Sequence, residues 1–324
     1  MTPPPDWPLS RPIATKSSQL GGGVIEVEIE GAGIAGQVLH RELYRRGIPS
    51  RLTDRTSFPR EKVCGGVLQW DSWQYLTSAF RIPEPVKQIH TISHFFRRKL
   101  LSLNELKKPM VYVSRWELDE KLYSQQRGVA ADGGSVLRVN AKGVSSAAAG
   151  EWIGFQGVCE PVEELQMHYG RGICAGVSPT LGPKAHLAFI VKRGLFRDIE
   201  GLKKYLWREL GLTFEGSLKG TGRIHYGYSP ESLAVGDAKM ATFPFRGLGM
   251  KHAILSAQLL AEKIAAGDAH AYATAHRRHF RRWHFFSAMG GILYDSPFQG
   301  LLKPLLRNRG VFFRLYNWLH APEF

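Results

Sequence analysis

The fold of this chain is decided by the stretch Ile25-Glu-Val-Glu-Ile-Glu30-Gly31-Ala-Gly33-Ile-Ala-Gly36. An alternating apolar run, typical of a β-strand, passes directly into Gly-x-Gly-x-x-Gly. Residues 37–46 then have the pattern of a helix, and Arg51-Leu-Thr-Asp54 predicts a second strand that ends in an acid. This order of strand, glycine turn, helix, strand and acid is typical of a βαβ unit that binds a dinucleotide.

Each glycine of the turn has its own physical role. Gly31 permits the tight turn, Gly33 lets the backbone approach a pyrophosphate, and Gly36 lets the helix pack closely on the sheet. The first turn of the helix offers free N–H groups and partial positive charge to phosphates. Asp54 is placed to accept hydrogen bonds from an adenosine ribose.

The first strand departs from the usual pattern. A parallel central strand is expected to be apolar on both faces, yet Glu26, Glu28 and Glu30 alternate with apolar residues. An ordinary hairpin strand followed by a glycine-rich turn is the alternative. It explains neither the helix nor Asp54, so the βαβ interpretation is preferred.

Composition sets broad limits on the protein. The chain has 324 residues, 44% of them hydrophobic and 22% charged, which suits one large domain or two interlocked ones. Its three cysteines are too few for a disulfide framework and show no metal spacing, which favours reduced thiols in a cytoplasmic setting. The formal charge of +15 attracts nucleic acid, anionic lipid or acidic carriers, and charge alone does not choose among them.

The ends of the chain carry no targeting or spanning signal that the sequence reveals. Residues 1–23 are rich in Pro, Ser and Gly, which predicts a flexible arm and not a signal peptide. No run approaches the roughly 20 apolar residues that span a bilayer. Any membrane contact is therefore expected to be peripheral.

A second informative stretch is Val235-Gly236-Asp237-Ala238, followed by Phe243-Pro244-Phe-Arg-Gly247-Leu248-Gly249-Met250. A short strand places Asp237 at the carboxyl edge of the sheet, where ligands bind in such folds. The glycines that follow permit close backbone approach before a second helix. This arrangement suits a flavin, because a carboxylate can hold ribityl hydroxyls and a helix dipole can stabilise negative charge on the ring. The alternative is an ordinary strand–loop–helix connection.

Four segments in order resemble the geranylgeranyl reductase family of FAD-dependent oxidoreductases, which has a para-hydroxybenzoate hydroxylase-like fold. They are Gly31-Ala-Gly-x-Ala-Gly36, Phe58-Pro-Arg-x-Lys-x-Cys-Gly-Gly66, Ser114-Arg-x-x-Leu-Asp119 and Gly236-Asp-Ala…Pro244-Phe-x-Gly-x-Gly-Met250. The similarity covers about residues 24 to 270. It implies an α/β fold: a Rossmann-like, three-layer FAD-binding domain with an antiparallel substrate sheet and C-terminal helices.

The resemblance also implies a division of the chain. FAD-binding parts fall at 24–80, 113–150 and 223–270, substrate-domain parts at 81–112 and 151–222, and a helical cap at 271–324. The FAD contacts that it implies are Gly31, Ala32, Gly33, Ile34, Ala35, Gly36, Asp54, Arg55, Arg60, Lys62, Arg115, Gly236, Asp237, Pro244, Gly247, Leu248, Gly249 and Met250.

In this family the substrate is an isoprenoid or other polyenyl lipid. The resemblance therefore implies that NAD(P)H supplies hydride to flavin N5, and that carbon–carbon double bonds are reduced. Cys64 would lie near the ring and the substrate as the catalytic residue. Its alternative is a small residue packed in a turn.

Several segments depart from the family. The aromatic segment Tyr-x-Trp-x-Phe-Pro aligns with Cys174-Ala-Gly-Val-Ser-Pro179, which keeps only the proline. The usual Ala-Asp-Gly reads Ala141-Lys142-Gly143, and Lys239 follows Gly236-Asp-Ala, where it is expected to crowd or recharge the pyrophosphate region. These changes affect the expected chemistry more than the expected fold.

Three functions stay open at this point. Besides the reductase, the sequence allows an FAD-dependent monooxygenase that hydroxylates an aromatic or polyketide substrate, and a catalytically silent flavin- or membrane-binding protein. The segment His276–Phe286 interleaves cations with aromatics. It predicts either ordinary amphipathic helices or a cap that touches anionic membrane and delivers a lipid-like substrate. Nucleic acid is not the expected partner, since no binding module accompanies the charge.

Overall fold

The computed structural model describes residues 25–82, 86–126, 135–146, 150–243 and 248–295, with a few single positions beyond. The predicted arm at 1–23 lies outside the described residues, as do Pro244, Gly247 and most of 296–324.

Eleven strands and seven α-helices make up the described part. The strands are β1 (Ile25–Glu30), β2 (Ser50–Thr53), β3 (Val67–Gln69), β4 (Lys87–Phe96), β5 (Lys99–Tyr112), β6 (Ser135–Asn140), β7 (Trp152–Cys159), β8 (Leu165–Gly170), β9 (Ile173–Ser178), β10 (Ala185–Lys192) and β11 (Glu215–Ile224). The helices are α1 (Ile34–Arg45), α2 (Trp70–Phe80), α3 (Arg115–Tyr123), α4 (Ile199–Leu210), α5 (Leu248–Ala265), α6 (Tyr272–His279) and α7 (Arg281–Asp295).

The first sheet is parallel, with strand order β2-β1-β6. Both neighbours of β1 run parallel to it, so the hairpin alternative is wrong. Val27 and Ile29 are fully buried in the core formed with α1 and α5. On the other face Glu28 forms ion pairs with Arg51 and Arg138 from the two flanking strands. Glu28 is thus neutralised by cations on adjacent strands, and Glu30 pairs with Lys142 just after β6.

The second sheet has eight strands in the order β11-β7-β10-β9-β8-β4-β5-β3. Neighbouring strands are antiparallel except β4 and β8, which are parallel. The expected antiparallel substrate sheet is present, and strands from both expected segments join in it. Because β3 pairs with the end of β5 and leads into α2, this sheet abuts the core of the first one.

Helix α4 covers one face of the larger sheet. Asp198 caps it by accepting a hydrogen bond from the Gly201 N–H at 2.7 Å, and Gly211 ends it in the left-handed conformation. Leu202, Leu206 and Leu210 are buried against β9 and β10. This packing gives the sheet a core of its own, separate from the glycine-turn core.

The helices α6 and α7 pack aromatic side chains inward. His276, Phe280 and Trp283 are buried against α5, whereas Arg278 and Arg281 are exposed. In its described part, the terminal segment therefore has the arrangement of ordinary amphipathic helices. No described helix is long and apolar enough to cross a membrane.

Candidate functional site

The glycine turn between β1 and α1 is sterically fixed at two of its three glycines. Gly31 has a φ of +113°, and a Cβ there would lie 2.5 Å from the Ala141 carbonyl oxygen. A Cβ on Gly36 would lie 1.9 Å from the carbonyl oxygen of Gly31. A Cβ on Gly33 would approach only the ends of the Lys62 and Arg60 side chains, at 3.5 and 3.9 Å. The fold itself therefore does not require glycine at position 33, and the space beside Gly33 is open.

Asp54, directly after β2, holds this turn in place. Its Oδ2 accepts a hydrogen bond from the Ala32 N–H at 2.6 Å and pairs with Arg60 at 3.1 Å. Burial alone would raise the pKa of Asp54, but the N–H groups of Ala32 and Thr56 and the charge of Arg60 hold it below its ordinary value. The carboxylate is therefore ionised at neutral pH.

Lys62 extends over the glycine turn from the loop that follows β2. Its Nζ lies 3.5 and 3.7 Å from the positions that a Cβ would take on Gly33 and Gly143. Within the described part of the chain Lys62 forms no ion pair, and burial together with Arg115 lowers its pKa. A partly buried ammonium beside a helix N-terminus suits the binding of an anion.

Asp237 also lies beside the glycine turn and Lys62, although it is far from both in sequence. Gly236 has a φ of +60°, and a Cβ there would lie 2.8 Å from the Ala35 Cβ in the first turn of α1. The Gly236 N–H also donates to Ser256 Oγ of α5 at 2.9 Å. Burial raises the pKa of Asp237, and the charges of Lys62 and Arg115 oppose that shift.

A cavity of about 1000 Å³ joins these groups. Its lining includes Gly31, Gly33, Asp54, Arg55, Arg60, Lys62, Lys142, Gly143, Asp237 and residues 219–224 of β11. The structure thus brings the two separated sequence signals to one cavity. The contribution of β11 was not expected, because nothing in its sequence marks it as part of the site.

A second, smaller cavity of about 170 Å³ lies beside Cys64. Cys64, Tyr112, Arg115, Gln156 and His186 line it, and Lys62 borders both cavities. Arg115 is buried in a two-point ion pair with Asp119 at 2.8 and 2.7 Å. Burial would lower the pKa of Arg115, but Asp119 and a hydrogen bond with Cys64 raise it. Arg115 lines the Cys64 cavity and does not belong to the lining of the larger one.

Three side chains from adjacent strands fix the backbone of the Cys64 turn. The Cys64 N–H donates to Gln156 Oε1 at 3.0 Å, and His186 Nε2–H donates to the Cys64 carbonyl at 2.7 Å. Ser178 Oγ donates to the Gly65 carbonyl at 3.4 Å. Sequence reasoning missed this set, because its members come together only through the pairing of β7, β9 and β10. Of the three, Ser178 lies in the segment 174–179 that the family resemblance aligned with an aromatic wall.

The remaining predicted residues divide into two groups. Ala32, Ile34, Ala35, Leu248 and Met250 are buried, and Arg55 is exposed at the larger cavity. Gly249, in the first turn of α5, lies near Thr242.

The expectation for Lys239 is wrong: its side chain is fully buried, donates to the Ser229 carbonyl at 3.2 Å and faces the Tyr228 ring. Lys239 therefore turns away from the cavity.

Solved structures share this architecture, in which a parallel βαβ sheet with a glycine turn is joined to a large mixed sheet. The structure is similar to HpxO of Klebsiella pneumoniae complexed with FAD and uric acid (TM-score 0.69, 16% identity, 93% of this chain and 96% of that chain). It is also similar to a geranylgeranyl bacteriochlorophyll reductase-like protein of Thermoplasma acidophilum (TM-score 0.70, 14% identity, 91% and 97%). A third match is PqsL of Pseudomonas aeruginosa, described as a probable FAD-dependent monooxygenase (TM-score 0.61, 16% identity, 90% and 99%).

No protein-family model matches the chain, and no curated protein matches it by sequence. The predicted fold class is confirmed by the solved structures. At identities of 14–16% the likeness is one of fold.

Proposed function

We propose that this chain is an FAD-dependent oxidoreductase that holds FAD along the larger cavity. One observation carries the proposal: the Gly31–Gly33 turn and the Asp237 carboxylate border a single cavity of about 1000 Å³, although they are far apart in sequence. That volume lies at the upper end of the range for small-molecule sites, which suits a long two-part cofactor.

The residues present fit FAD. Lys62 and the N-terminus of α1 suit the pyrophosphate, since Lys62 forms no direct ion pair among the described residues and the space beside Gly33 is open. Asp54 and Arg55 suit the adenosine end, and Asp237 suits the ribityl hydroxyls. When bound, FAD supplies the two-electron transfer between a reduced nicotinamide and the substrate.

For the reaction we propose reduction of carbon–carbon double bonds in an isoprenoid or polyenyl lipid-like substrate, with NAD(P)H as the electron donor. The four ordered motifs support it, as does the shared fold with the geranylgeranyl bacteriochlorophyll reductase-like protein. Such a reduction also consumes a proton. The Tyr112 O–H, which is protonated at neutral pH, lines the same cavity as Cys64, and burial raises its pKa to about 12, which disfavours the phenolate.

The second candidate is a monooxygenase acting on an aromatic substrate, and a specific observation favours it. The Cys64 cavity measures about 170 Å³, close to the roughly 150 Å³ cavity that accommodates benzene in another protein. A single ring would fit, whereas a polyenyl chain would extend outside. The fold shared with PqsL and HpxO agrees with this candidate.

Two measurements test these proposals. The purified protein should show visible flavin absorbance, and Asp237→Ala should remove most of it. Mass analysis of the product then separates the reactions, because a reductase adds two hydrogens and a monooxygenase adds one oxygen. Colourless wild-type protein that binds no added FAD but does bind anionic vesicles would favour a catalytically silent membrane-binding protein.

We further propose a cytoplasmic location, which the three free cysteines support. The terminal helices would contact an anionic membrane if they deliver a lipid-like substrate. The exposed Arg278 and Arg281 support that contact, as does Phe285, which is 56% exposed, whereas Phe280 and Trp283 pack inward.

A further inference from the structure

The turn between β4 and β5 carries two arginines in an unfavourable backbone conformation. Phe96 pairs with Lys99, so Arg97 and Arg98 form a two-residue hairpin turn. Their φ angles are 42° and 71°, both in the left-handed region. Such turns strongly prefer Asn and Gly, because a Cβ is disfavoured there. Backbone strain of this kind clusters at functional sites.

A β-bulge beside this turn exposes two leucines on one face. His94 pairs with Ser102 and Phe95 with Leu100, which leaves Leu101 as the extra residue. Ser93 pairs with Leu103. Because Ser93 and Phe95 share a face, the bulge places Leu100 and Leu103 on a common face as well. Their exposed fractions are 57% and 59%.

The end of α4 extends this apolar area. Phe95 stacks on His168 with ring centroids 4.5 Å apart, and His168 lies beside the backbone of Leu210. Trp207, one turn before the end of α4, is 50% exposed, and the Arg98 guanidinium lies 4.7 Å from its ring. We call the exposed set Leu100, Leu103 and Trp207, with Arg97, Arg98, Lys99 and Arg208 around it, the hairpin surface.

We propose that the hairpin surface docks on an anionic phospholipid bilayer. Leucine and tryptophan side chains enter the headgroup region, where tryptophan is favoured, and the surrounding cations contact lipid phosphates. Each cation near an anionic leaflet adds to binding, and arginine can form two hydrogen bonds to one phosphate. This surface lies at the opposite end of β5 from Tyr112, which lines the Cys64 cavity. It is therefore separate from the cofactor cavity.

Charge argues against a second copy of the chain that pairs along β5 with Leu103 opposite Leu103. In the described residues the outer edge of β5 is paired only at 110–112, by β3. Antiparallel pairing of two copies centred on Leu103 would place Lys99 opposite Lys107. Like charges directly opposite each other are destabilising. The exposed leucines likewise argue against a purely acidic protein as partner, since they would gain nothing from charge.

Sedimentation of the full chain with vesicles tests the proposal. Wild type should bind vesicles that contain phosphatidylserine and should bind pure phosphatidylcholine vesicles at least about tenfold more weakly. Leu100→Asp/Leu103→Asp and Arg97→Gln/Arg98→Gln should each weaken binding about tenfold or more. Leu181→Asp is the matched control, since Leu181 is 65% exposed in the β9–β10 turn and should leave binding unchanged.

A second control separates the hairpin surface from the terminal helices. Arg278→Gln/Arg281→Gln removes two exposed cations from α6 and α7. If only that variant loses binding, or if wild type does not bind anionic vesicles, the proposal is overturned. Binding to polyglutamate as tight as to vesicles, with the leucine variants unaffected, would also overturn it and indicate an acidic protein partner. Circular dichroism and melting temperature verify folding, and flavin absorbance reports on the proposed function independently.

Discussion

The carboxylate of Asp237 and the ammonium of Lys62 border one cavity, and each opposes the pKa shift that burial imposes on the other. Burial raises the pKa of Asp237, and the Lys62 charge lowers it. Burial lowers the pKa of Lys62, and the Asp237 charge raises it. The glycine turn and the second sequence signal are thus electrostatically coupled through these two side chains.

Asp237→Asn should lower FAD affinity about 10- to 100-fold, which corresponds to losing a hydrogen bond to a charged group. Flavin absorbance after gel filtration and titration of the apo protein with FAD measure this loss. Asp268→Asn, at an exposed acid after α5, is the matched control. Equal FAD affinity in both variants would count against Asp237 as a ligand.

Gly33→Ala and Gly36→Ala should separate binding from folding. A Cβ on Gly36 meets backbone at 1.9 Å, so Gly36→Ala should destabilise the protein by about 1–3 kcal/mol or more. A Cβ on Gly33 meets only side-chain ends beyond 3.4 Å, so the apo protein should keep its melting temperature while losing FAD binding. Thermal melts and FAD titrations measure both. Gly33→Ala protein that binds FAD normally would contradict the assignment of the turn.

Cys64→Ser should reduce turnover more than FAD content, because Cys64 lines the smaller cavity and contacts Arg115. His186→Ala should also reduce turnover, by releasing the Cys64 carbonyl that it holds at 2.7 Å. Steady-state rates normalised to bound flavin measure both effects. Unchanged rates would make Cys64 a packing residue of the turn.

Acid should destabilise the protein through His168. Burial lowers the pKa of His168 from 6.5 to about 4, so the folded state keeps this ring neutral where the unfolded state accepts a proton. The stability contribution is complete above pH 6.5 and is lost as pH falls toward 4, by about 3 kcal/mol. His168→Phe should flatten the dependence of urea unfolding on pH over this window, and exposed His90→Phe should not. Equal slopes in all three proteins would contradict the argument.

Replacing the strained turn should stabilise the protein and weaken lipid binding together. Arg97→Asn/Arg98→Gly places residues that tolerate the left-handed region at both positions, which should add about 1–2 kcal/mol to the free energy of unfolding. The same change removes two cations from the hairpin surface. Urea unfolding and vesicle sedimentation measure the two effects. If the variant neither gains stability nor loses vesicle binding, the arginines serve no function in this turn.

The sequence by itself determined the glycine turn, the acid after β2, the second signal at Asp237 and hence the fold class. These features are local: a backbone that must turn without a Cβ, or approach a phosphate, requires glycine at fixed spacing. The sequence did not explain the glutamates of β1, because Arg51 and Arg138, which neutralise Glu28, lie on other strands.

Only the tertiary structure decided what surrounds Cys64. Gln156, Ser178 and His186 meet there because three strands pair in one register, and no short-range pattern encodes that pairing. The same holds for Leu100 and Leu103, which share a face through a bulge, and for Lys239, which turns toward Tyr228. Side-chain direction across a sheet depends on strand order and register, and these are set by the packing of the whole chain.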